Sequence, residues 1–267
     1  MERRAFLLGA LAAAASPCVI AQETPPGAAD AALREKLATC ARIFAMQGLL
    51  GLFGHVSAFD PKGRRVLITP GAGVDKARLK GPDMVVIDLS GKVLEGRGRP
   101  PIEWPIHTAL HAARADALAV AHLHPPQATL FGIARREFAP VTVQGCLLID
   151  GVPLYRDAEL VTTIERGQRL AATIGAKPAL FMRGHGVVVA GKSLERVLYA
   201  ALILEDEARK AAQAAALGEV GTIGEEECRA FSTDAEWDAR SRRAWSYYAA
   251  MESRWDRQPA SGMVPFS

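Results

Sequence analysis

Two histidines separated by a single residue are the side chains in this sequence best suited to chemistry. His122 and His124 lie at the end of the apolar run AVAHLHPP, and the chain holds only 6 histidines in 267 residues. Residues i and i+2 of a β-strand face the same side of a sheet, so the two imidazoles would project together. This spacing is typical of a divalent-metal site. The alternative is a pair of strand-edge histidines that are satisfied by hydrogen bonds.

Two more residues are candidates to complete such a site. His185 lies between two glycines in FMRGHGVVVAG, where a tight turn would let its imidazole enter a cleft. Glu103 begins a predicted helix upstream of the histidine pair and is a fourth candidate, although a glutamate there also stabilises the helix dipole. His107 and His111 follow Glu103 at helical spacing, and we interpret them as supporting or structural residues.

Strands and helices must alternate to position these residues. Apolar runs bounded by turn residues predict strands in LFGHVSAFD, RRVLITP, MVVIDLSGKVLEG, ALAVAHLH, CLLIDGVPLY and PALFMRGHGVVVAG. Helical periodicity predicts helices in residues 28–48, IEWPIHTALHAARAD, PPQATLFGIA, DAELVTTIERGQRLAATIG, SLERVLYAALILEDEARKAAQAAALG and residues 225–255. This alternation predicts an α/β domain whose helices cover a central mixed sheet.

The N-terminus has the features of an export signal. Residues 1–21 carry Arg3 and Arg4, then an apolar run, and end in the small-residue pattern VIA. The run is too short for a spanning helix, so we expect cleavage after Ala21 and no membrane span in the mature protein. The paired arginines resemble a twin-arginine signal, with an ordinary Sec signal as the alternative. Either route predicts a periplasmic protein.

Charge and cysteine content limit the other possibilities. The net charge of +3 is not concentrated in any basic cluster, so we expect no nucleic-acid partner. Removal of the signal leaves Cys40, Cys146 and Cys228, an odd and widely spaced set. We expect three buried thiols, with one bridge as the alternative.

Four segments in order resemble the class II aldolase/adducin family: GHVSAFDPKGRRVLITPGAGVD, PIEWPIHTALH, AVAHLHPP and LFMRGHGVVVAGKSLERVLYAALILEDEA. The resemblance implies a three-layer αβα sandwich around a nine-stranded mixed sheet. It assigns this domain to residues 28–220, followed by a helical extension over residues 221–267. It also implies a homotetramer with intersubunit sites and one divalent ion per subunit, Zn or Mn.

The resemblance also implies residue roles. His122, His124 and His185 would hold the metal, and Glu103 would be the catalytic acid/base that can also contact it. The retained ligands favour an enzyme over a non-enzymatic scaffold with a structural zinc, which remains the third hypothesis.

Two departures from the family pattern bear on the substrate. Sugar-phosphate aldolases carry Gly-Asn-x-Ser where this chain has Gly-His-Val-Ser, and Ser-Ser where it has Pro101 and Ile102. Without those hydroxyls a phosphate dianion lacks donors. The variants are similar to family members that decarboxylate hydroxylated aromatic or heteroaromatic acids.

We therefore expect a divalent-metal-dependent lyase that cleaves a carbon–carbon bond of a small anionic, non-phosphorylated hydroxy acid. Decarboxylation is preferred, and an aldolase or epimerase on fuculose- or ribulose-type phosphates is the alternative. His55 is a second catalytic candidate. The candidate substrate contacts are Ser57, Thr69, Gly71 and Arg183.

Overall fold

One mixed sheet forms the centre of the molecule, in a computed structural model that describes residues 28–71 and 73–255. Its strands are β1 His55–Asp60, β2 Arg65–Ile68, β3 Val85–Asp88, β4 Val93–Glu95, β5 Ala119–Leu123, β6 Leu154–Tyr155, β7 Ala179–Met182 and β8 Gly186–Gly191. The strand order is β4-β3-β2-β1-β5-β8-β7-β6. Neighbours are antiparallel except β6 and β7. The described residues thus form 8 strands, whereas the resemblance implies nine.

Helices cover both faces of this sheet. They are α1 Ala28–Met46, α2 Trp104–Ala113, α3 Pro126–Ala134, α4 Ile164–Ile174, α5 Leu194–Ala215, α6 Glu225–Arg229 and α7 Asp234–Trp255. One apolar cluster joins the sheet to α1, α3 and α5, and a second joins the other face to α2 and α4. The predicted α/β fold with an αβα layering is therefore confirmed. No helix in the described part of the chain has the length and apolarity needed to cross a membrane.

The face of the sheet under α2 is polar at its centre. His55 and His122 are direct cross-strand partners on β1 and β5. Since strand residues alternate faces, Ser57 lies on the same side as His55, and α2 brings His107 and His111 over them. Val56 and Ala58 face the opposite way, into the cluster under α1 and α5. The alternation of β1 thus sends its polar side chains towards α2.

Two predicted elements differ from the structure. The segment CLLIDGVPLY forms a 3-10 turn over Gly145–Leu148 and only the two-residue strand β6. Gly145 packs against the Glu207 carboxylate so closely that a Cβ would collide with it. Helix α4 begins at Ile164 rather than near residue 157, because Thr163 caps it by accepting a hydrogen bond from the Arg166 backbone N–H.

A disulfide attaches the C-terminal extension to the domain. Cys146, in the 3-10 turn, is paired with Cys228 in α6, and their Cα atoms are 4.6 Å apart. The expectation of three buried thiols is therefore wrong for this pair, while Cys40 remains a buried thiol. Sequence spacing could not reveal the pairing, because 82 residues separate the two cysteines. The predicted export signal, residues 1–21, lies outside the described residues.

Candidate metal centre

Three imidazoles converge at one end of the sheet. His122 is the penultimate residue of β5, His124 directly follows the strand, and His185 lies in the turn between β7 and β8. Their ring centroids are 4.7 to 4.9 Å apart, and the Nε2 atoms of His122 and His124 are separated by 3.1 Å. The strand period explains the first pair, as the sequence predicts. The third ring comes from a segment about sixty residues further along the chain.

Two glycines allow His185 to approach the pair. Gly184 adopts φ +65°, a conformation that side chains with a Cβ rarely take. A Cβ at Gly186 would collide with the Leu123 carbonyl oxygen of the neighbouring strand. The Gly-His-Gly sequence therefore places His185 against the end of β5.

The histidine nitrogens have the protonation states that metal ligands require. His122 Nδ1 donates to the Val187 carbonyl at 3.1 Å, which leaves a lone pair on Nε2. Burial, and then the neighbouring imidazoles, hold the pKa of His122 well below its usual range, and burial lowers the pKa of His124 to about 4. Both rings are neutral at pH 7. The separation of 3.1 Å is close to the roughly 3.3 Å between two nitrogens on a tetrahedral ion, so the donor set fits a divalent metal.

Glu103 faces the same point with one carboxylate oxygen. Its Oε2 lies 3.6 Å from Nε2 of both His122 and His185. Its Oε1 accepts a hydrogen bond from the Val161 backbone N–H at 2.9 Å. The structure thus brings together all four residues predicted as ligands, with one oxygen of Glu103 fixed and the other directed at the imidazoles.

The remaining three histidines form a buried hydrogen-bonded chain behind this group. His111 Nδ1 lies 2.5 Å from the Ala117 carbonyl, and His111 Nε2 lies 2.8 Å from Ser57 Oγ. Ser57 Oγ is 2.6 Å from His107 Nδ1, and His107 Nε2 is 2.6 Å from His55 Nδ1. We call these four side chains the internal chain. Sequence analysis gave His107 and His111 a supporting role, and the structure shows what they support.

Counting protons along the internal chain fixes the tautomer of His55. A carbonyl only accepts, so His111 donates from Nδ1 and accepts from the Ser57 hydroxyl at Nε2. Ser57 then accepts from His107 Nδ1, and His107 accepts from His55 Nδ1. Burial keeps all three rings neutral by lowering their pKa values, to about 4 for His111. His55 Nε2 is therefore an unprotonated acceptor.

A cleft of about 780 Å³ opens above these groups. Its wall is mostly apolar, and its polar side chains come from histidine, glutamate, lysine and arginine. The lining residues are Leu52, Phe53, Gly54, His55, Pro70, Gly71, Val74, Lys76, Gly98, Arg99, Pro100, Pro101, Ile102, Glu103, His124, Leu160, Gly184 and His185. Among the described residues, no serine or threonine side chain lines the cleft. The size of the cleft suits a small organic ligand.

The predicted substrate contacts are divided by the structure. Gly71 lines the cleft, whereas Ser57, Thr69 and Arg183 do not. Ser57 and Thr69 are fully buried, the first in the internal chain and the second accepting from the Val56 backbone N–H. Arg183 donates to the Arg156 carbonyl. These three side chains thus make internal or surface hydrogen bonds in the structure, and their contact with substrate stays a prediction.

Lys76 is a cleft residue that the sequence interpretation missed. It is 2 % exposed and follows Asp75, whose side chain caps the short turn Lys76–Arg78. A lysine in a loop is ordinarily solvated, so its residue type gave no signal. Its position shortly after Gly71, a predicted substrate contact, was the available clue.

Comparison with known proteins agrees with this geometry. The family model of the Class II Aldolase and Adducin N-terminal domain matches residues 35–212. The chain belongs to this family, as its motifs predicted, and the family's decarboxylases and aldolases mark it as an enzyme that acts on carbon–carbon bonds.

The individual relatives and solved structures that resemble this chain include three activities. The chain is 30% identical over 218 residues to a 3,4-dihydroxyphthalate decarboxylase of Rhodococcus jostii, covering 77% of this chain and 86% of that protein. It is 29% identical over 170 residues to an L-ribulose-5-phosphate 4-epimerase of Salmonella typhi, covering 60% and 74%. The fold matches the L-fuculose 1-phosphate aldolase of Glaciozyma antarctica with a TM-score of 0.74 at 22% identity, covering 87% and 94%.

Proposed function

We propose that this protein is a divalent-metal-dependent decarboxylase of a small hydroxylated aromatic or heteroaromatic acid. The observation that carries the proposal is the cleft wall above the His–Glu group. At the position of the Ser-Ser pair of sugar-phosphate aldolases, that wall presents Pro101 and Ile102, which offer no hydroxyl. An apolar wall suits an aromatic ring and leaves a phosphate dianion without the hydroxyl donors of that Ser-Ser pair. The decarboxylase relatives support the same reaction class.

The chain's own residues divide the work. His122, His124 and His185 would hold the ion, Zn or Mn, with Glu103 Oε2 beside them. A divalent ion there supplies Lewis-acid stabilisation of negative charge on a substrate oxygen. Cleavage of the carbon–carboxylate bond releases CO2 and leaves an electron pair on the ring carbon. That pair takes a proton, and Glu103 Oε2 is the side-chain oxygen positioned to deliver it.

His55 is assigned the second catalytic role. Its Nδ1 is occupied by His107, and its Nε2 is an acceptor at the cleft. An acceptor there would orient a substrate hydroxyl or take its proton as the ring becomes electron-rich. The internal chain holds the ring in that tautomer.

The direct test is CO2 release from 3,4-dihydroxyphthalate and from hydroxybenzoates by the metal-loaded protein. We expect turnover that EDTA abolishes and that Zn or Mn restores. Glu103→Gln is the matched inactive control, since it keeps the size of the side chain. Turnover that persists without metal would rule out the proposed mechanism.

The alternative is an aldolase or epimerase that acts on a sugar phosphate. The epimerase relatives and the aldolase fold favour it, and Pro101 and Ile102 oppose it. Rapid metal-dependent conversion of fuculose 1-phosphate or ribulose 5-phosphate, with no CO2 from aromatic acids, would select this alternative.

We propose a periplasmic location reached through the signal over residues 1–21. The Cys146–Cys228 pair supports it, because disulfides persist mainly in oxidising compartments. We expect wild-type protein in the periplasmic fraction in cleaved form. Substituting Arg3→Lys with Arg4→Lys should retain it in the cytoplasm if the route is twin-arginine, and leave export intact if the route is Sec.

We also propose a homotetramer whose cleft is completed by a neighbouring subunit. Leu52, Phe53 and Ile102 at the cleft are 62%, 63% and 67% exposed, which is a high exposure for clustered apolar side chains. Light scattering should give a mass four times that of the chain. A monomer with full activity would remove this part of the proposal.

A further inference from the structure

A buried lysine in the cleft has more hydrogen-bond donors than the protein uses. Lys76 Nζ donates to the Gly71 carbonyl at 3.0 Å. Among residues 28–71 and 73–255, no aspartate or glutamate forms an ion pair with it. An ammonium has three donors and a full charge, and burying it without an anion is costly. Burial accordingly lowers the pKa of Lys76.

The surroundings of Lys76 show where its remaining donors lie. A Cβ at Gly71 would be 3.2 Å from the Pro100 carbonyl oxygen and 3.2 Å from Pro101 Cα, so Gly71 is packed against that segment. Lys76 is bonded to Gly71, which places the ammonium beside the wall where the family's phosphate-binding hydroxyls are missing. Lys76, Gly71, Pro100 and Pro101 all line the cleft that contains Glu103 and His55.

We propose that Lys76 is the anchor for a substrate carboxylate, namely one that remains on the ring when CO2 leaves. This inference rests on the proposed decarboxylation. A 3,4-dihydroxyphthalate carries two carboxylates, so loss of one as CO2 leaves the other on the product. That second carboxylate must sit in a largely apolar cleft, where an unpaired anion would be costly.

A single ammonium suits a carboxylate better than a phosphate. It supplies one positive charge and point-like donors, which match a monoanion. A phosphate dianion requires several donors, and the neighbouring side chains of Pro100, Pro101 and Ile102 offer none. Among the described residues that line the cleft, Arg99 is the other lysine or arginine side chain at this part of the wall. The anchor thus selects acids with a second carboxylate and keeps the ring's hydroxyl end directed towards His55 and the His–Glu group.

The test compares two probes that differ only by a carboxylate. Catechol and 3,4-dihydroxybenzoate share the same adjacent hydroxyls, which engage the metal end, and the second adds one carboxylate. Their dissociation constants for Mn-loaded or Zn-loaded protein are measured by anaerobic calorimetry, with inorganic phosphate as a third probe. The variants are Lys76→Met, Lys76→Gln and Lys76→Arg. Lys62→Met is the matched control, because Lys62 is an exposed lysine outside the cleft.

We expect Lys76→Met to raise the dissociation constant of 3,4-dihydroxybenzoate by about 10- to 100-fold, which is the usual effect of losing a hydrogen bond to a charged group. The affinity for catechol should change by less than about threefold. Lys76→Arg should recover part of the lost affinity for 3,4-dihydroxybenzoate, and Lys62→Met should bind it as wild type does. Lys76→Gln carries the same comparison if the methionine variant does not fold.

Three results would overturn the anchor. The first is equal affinity of wild type and Lys76→Met for 3,4-dihydroxybenzoate. The second is an equal loss of affinity for catechol and for 3,4-dihydroxybenzoate in Lys76→Met. The third is an affinity that depends on Lys76 for phosphate alone. Failure of the decarboxylase proposal gives a different result. In that case the wild type binds 3,4-dihydroxybenzoate in a Lys76-dependent way and yet releases no CO2 from any dicarboxylic acid tested.

Discussion

The histidines of this protein form two sets of three that share an environment and differ in bonding. His122, His124 and His185 converge on one point. The facing Nε2 atoms of His122 and His124 are 3.1 Å apart, and their lone pairs are directed at that point. The rings of His55 and His107 are as close, with centroids 4.9 Å apart. In the set of His55, His107 and His111, however, hydrogen bonds to one another, to Ser57 and to a carbonyl use five of the six ring nitrogens. Burial depresses the pKa values of members of both sets. Burial and pKa therefore do not distinguish a candidate metal ligand from a histidine that supports the site. What distinguishes them is whether the ring nitrogens are used in hydrogen bonds within the protein.

The largest expected effect comes from removing a converging histidine. His124→Ala should lose the metal and reduce turnover by about 1,000-fold or more, because several kcal/mol of Lewis-acid stabilisation disappear. Metal analysis of purified protein and CO2 assays measure both. His124 is only partly buried, so the fold should survive. Full metal occupancy in this variant would contradict the assignment of His122, His124 and His185 as the metal-binding set.

Glu103→Gln should separate proton delivery from metal binding. We expect a loss of about 1,000-fold in kcat, within the usual range for a general acid, with the metal content close to that of wild type. The three imidazoles remain, and the amide keeps the hydrogen bond from Val161. Loss of the metal together with activity would instead make Glu103 chiefly a ligand.

Acid should destabilise the metal-free protein through the internal chain. Burial lowers the pKa of His111 from its ordinary value of 6.5 to about 4 in the folded protein, so the unfolded state binds its proton first as pH falls. This contribution is complete above pH 6.5 and is lost as pH falls towards 4, with a total of about 3 kcal/mol. Denaturant melts of EDTA-treated protein between pH 7 and 4 test it. His111→Gln should show a shallower pH dependence than wild type, and an identical one would contradict the assignment.

The smallest effect is expected from the middle of the internal chain. His107→Leu removes the acceptor for His55 Nδ1, so His55 loses its fixed tautomer and kcat should fall by about tenfold while metal content is unchanged. His107→Gln keeps an amide acceptor and should recover part of the rate. The matched measurement is the pH profile of kcat, which a purely structural defect would not shift. Loss of metal in His107→Leu would show that the two sets are not independent.

Periodic and local signals made much of this arrangement predictable. The two-residue strand period placed His122 beside His124, the Gly-His-Gly turn marked His185, and the cap of α5 followed from Ser193 at the start of its predicted segment. These features depend on a few neighbouring residues. The sheet, its helical layers and the family were accessible from the sequence for the same reason.

The features that escaped prediction depend on approaches between distant segments. Sequence analysis proposed Ser57 as a substrate contact and did not foresee its place in the internal chain, where strand alternation and the position of α2 turn it towards two histidines. The bond between Cys146 and Cys228 requires α6 to dock on a loop 82 residues away. Lys76 is buried only because its turn folds back over the Gly71 segment.

The internal chain is closed at its far end. Ala117 is buried and offers its carbonyl oxygen, which has no hydrogen to pass on. A proton taken up by His55 therefore leaves by returning to the cleft. The imidazoles of the internal chain fix the orientation and tautomer of His55 and do not conduct protons through the protein. In heavy water, isotope would reach the product carbon from the cleft side alone.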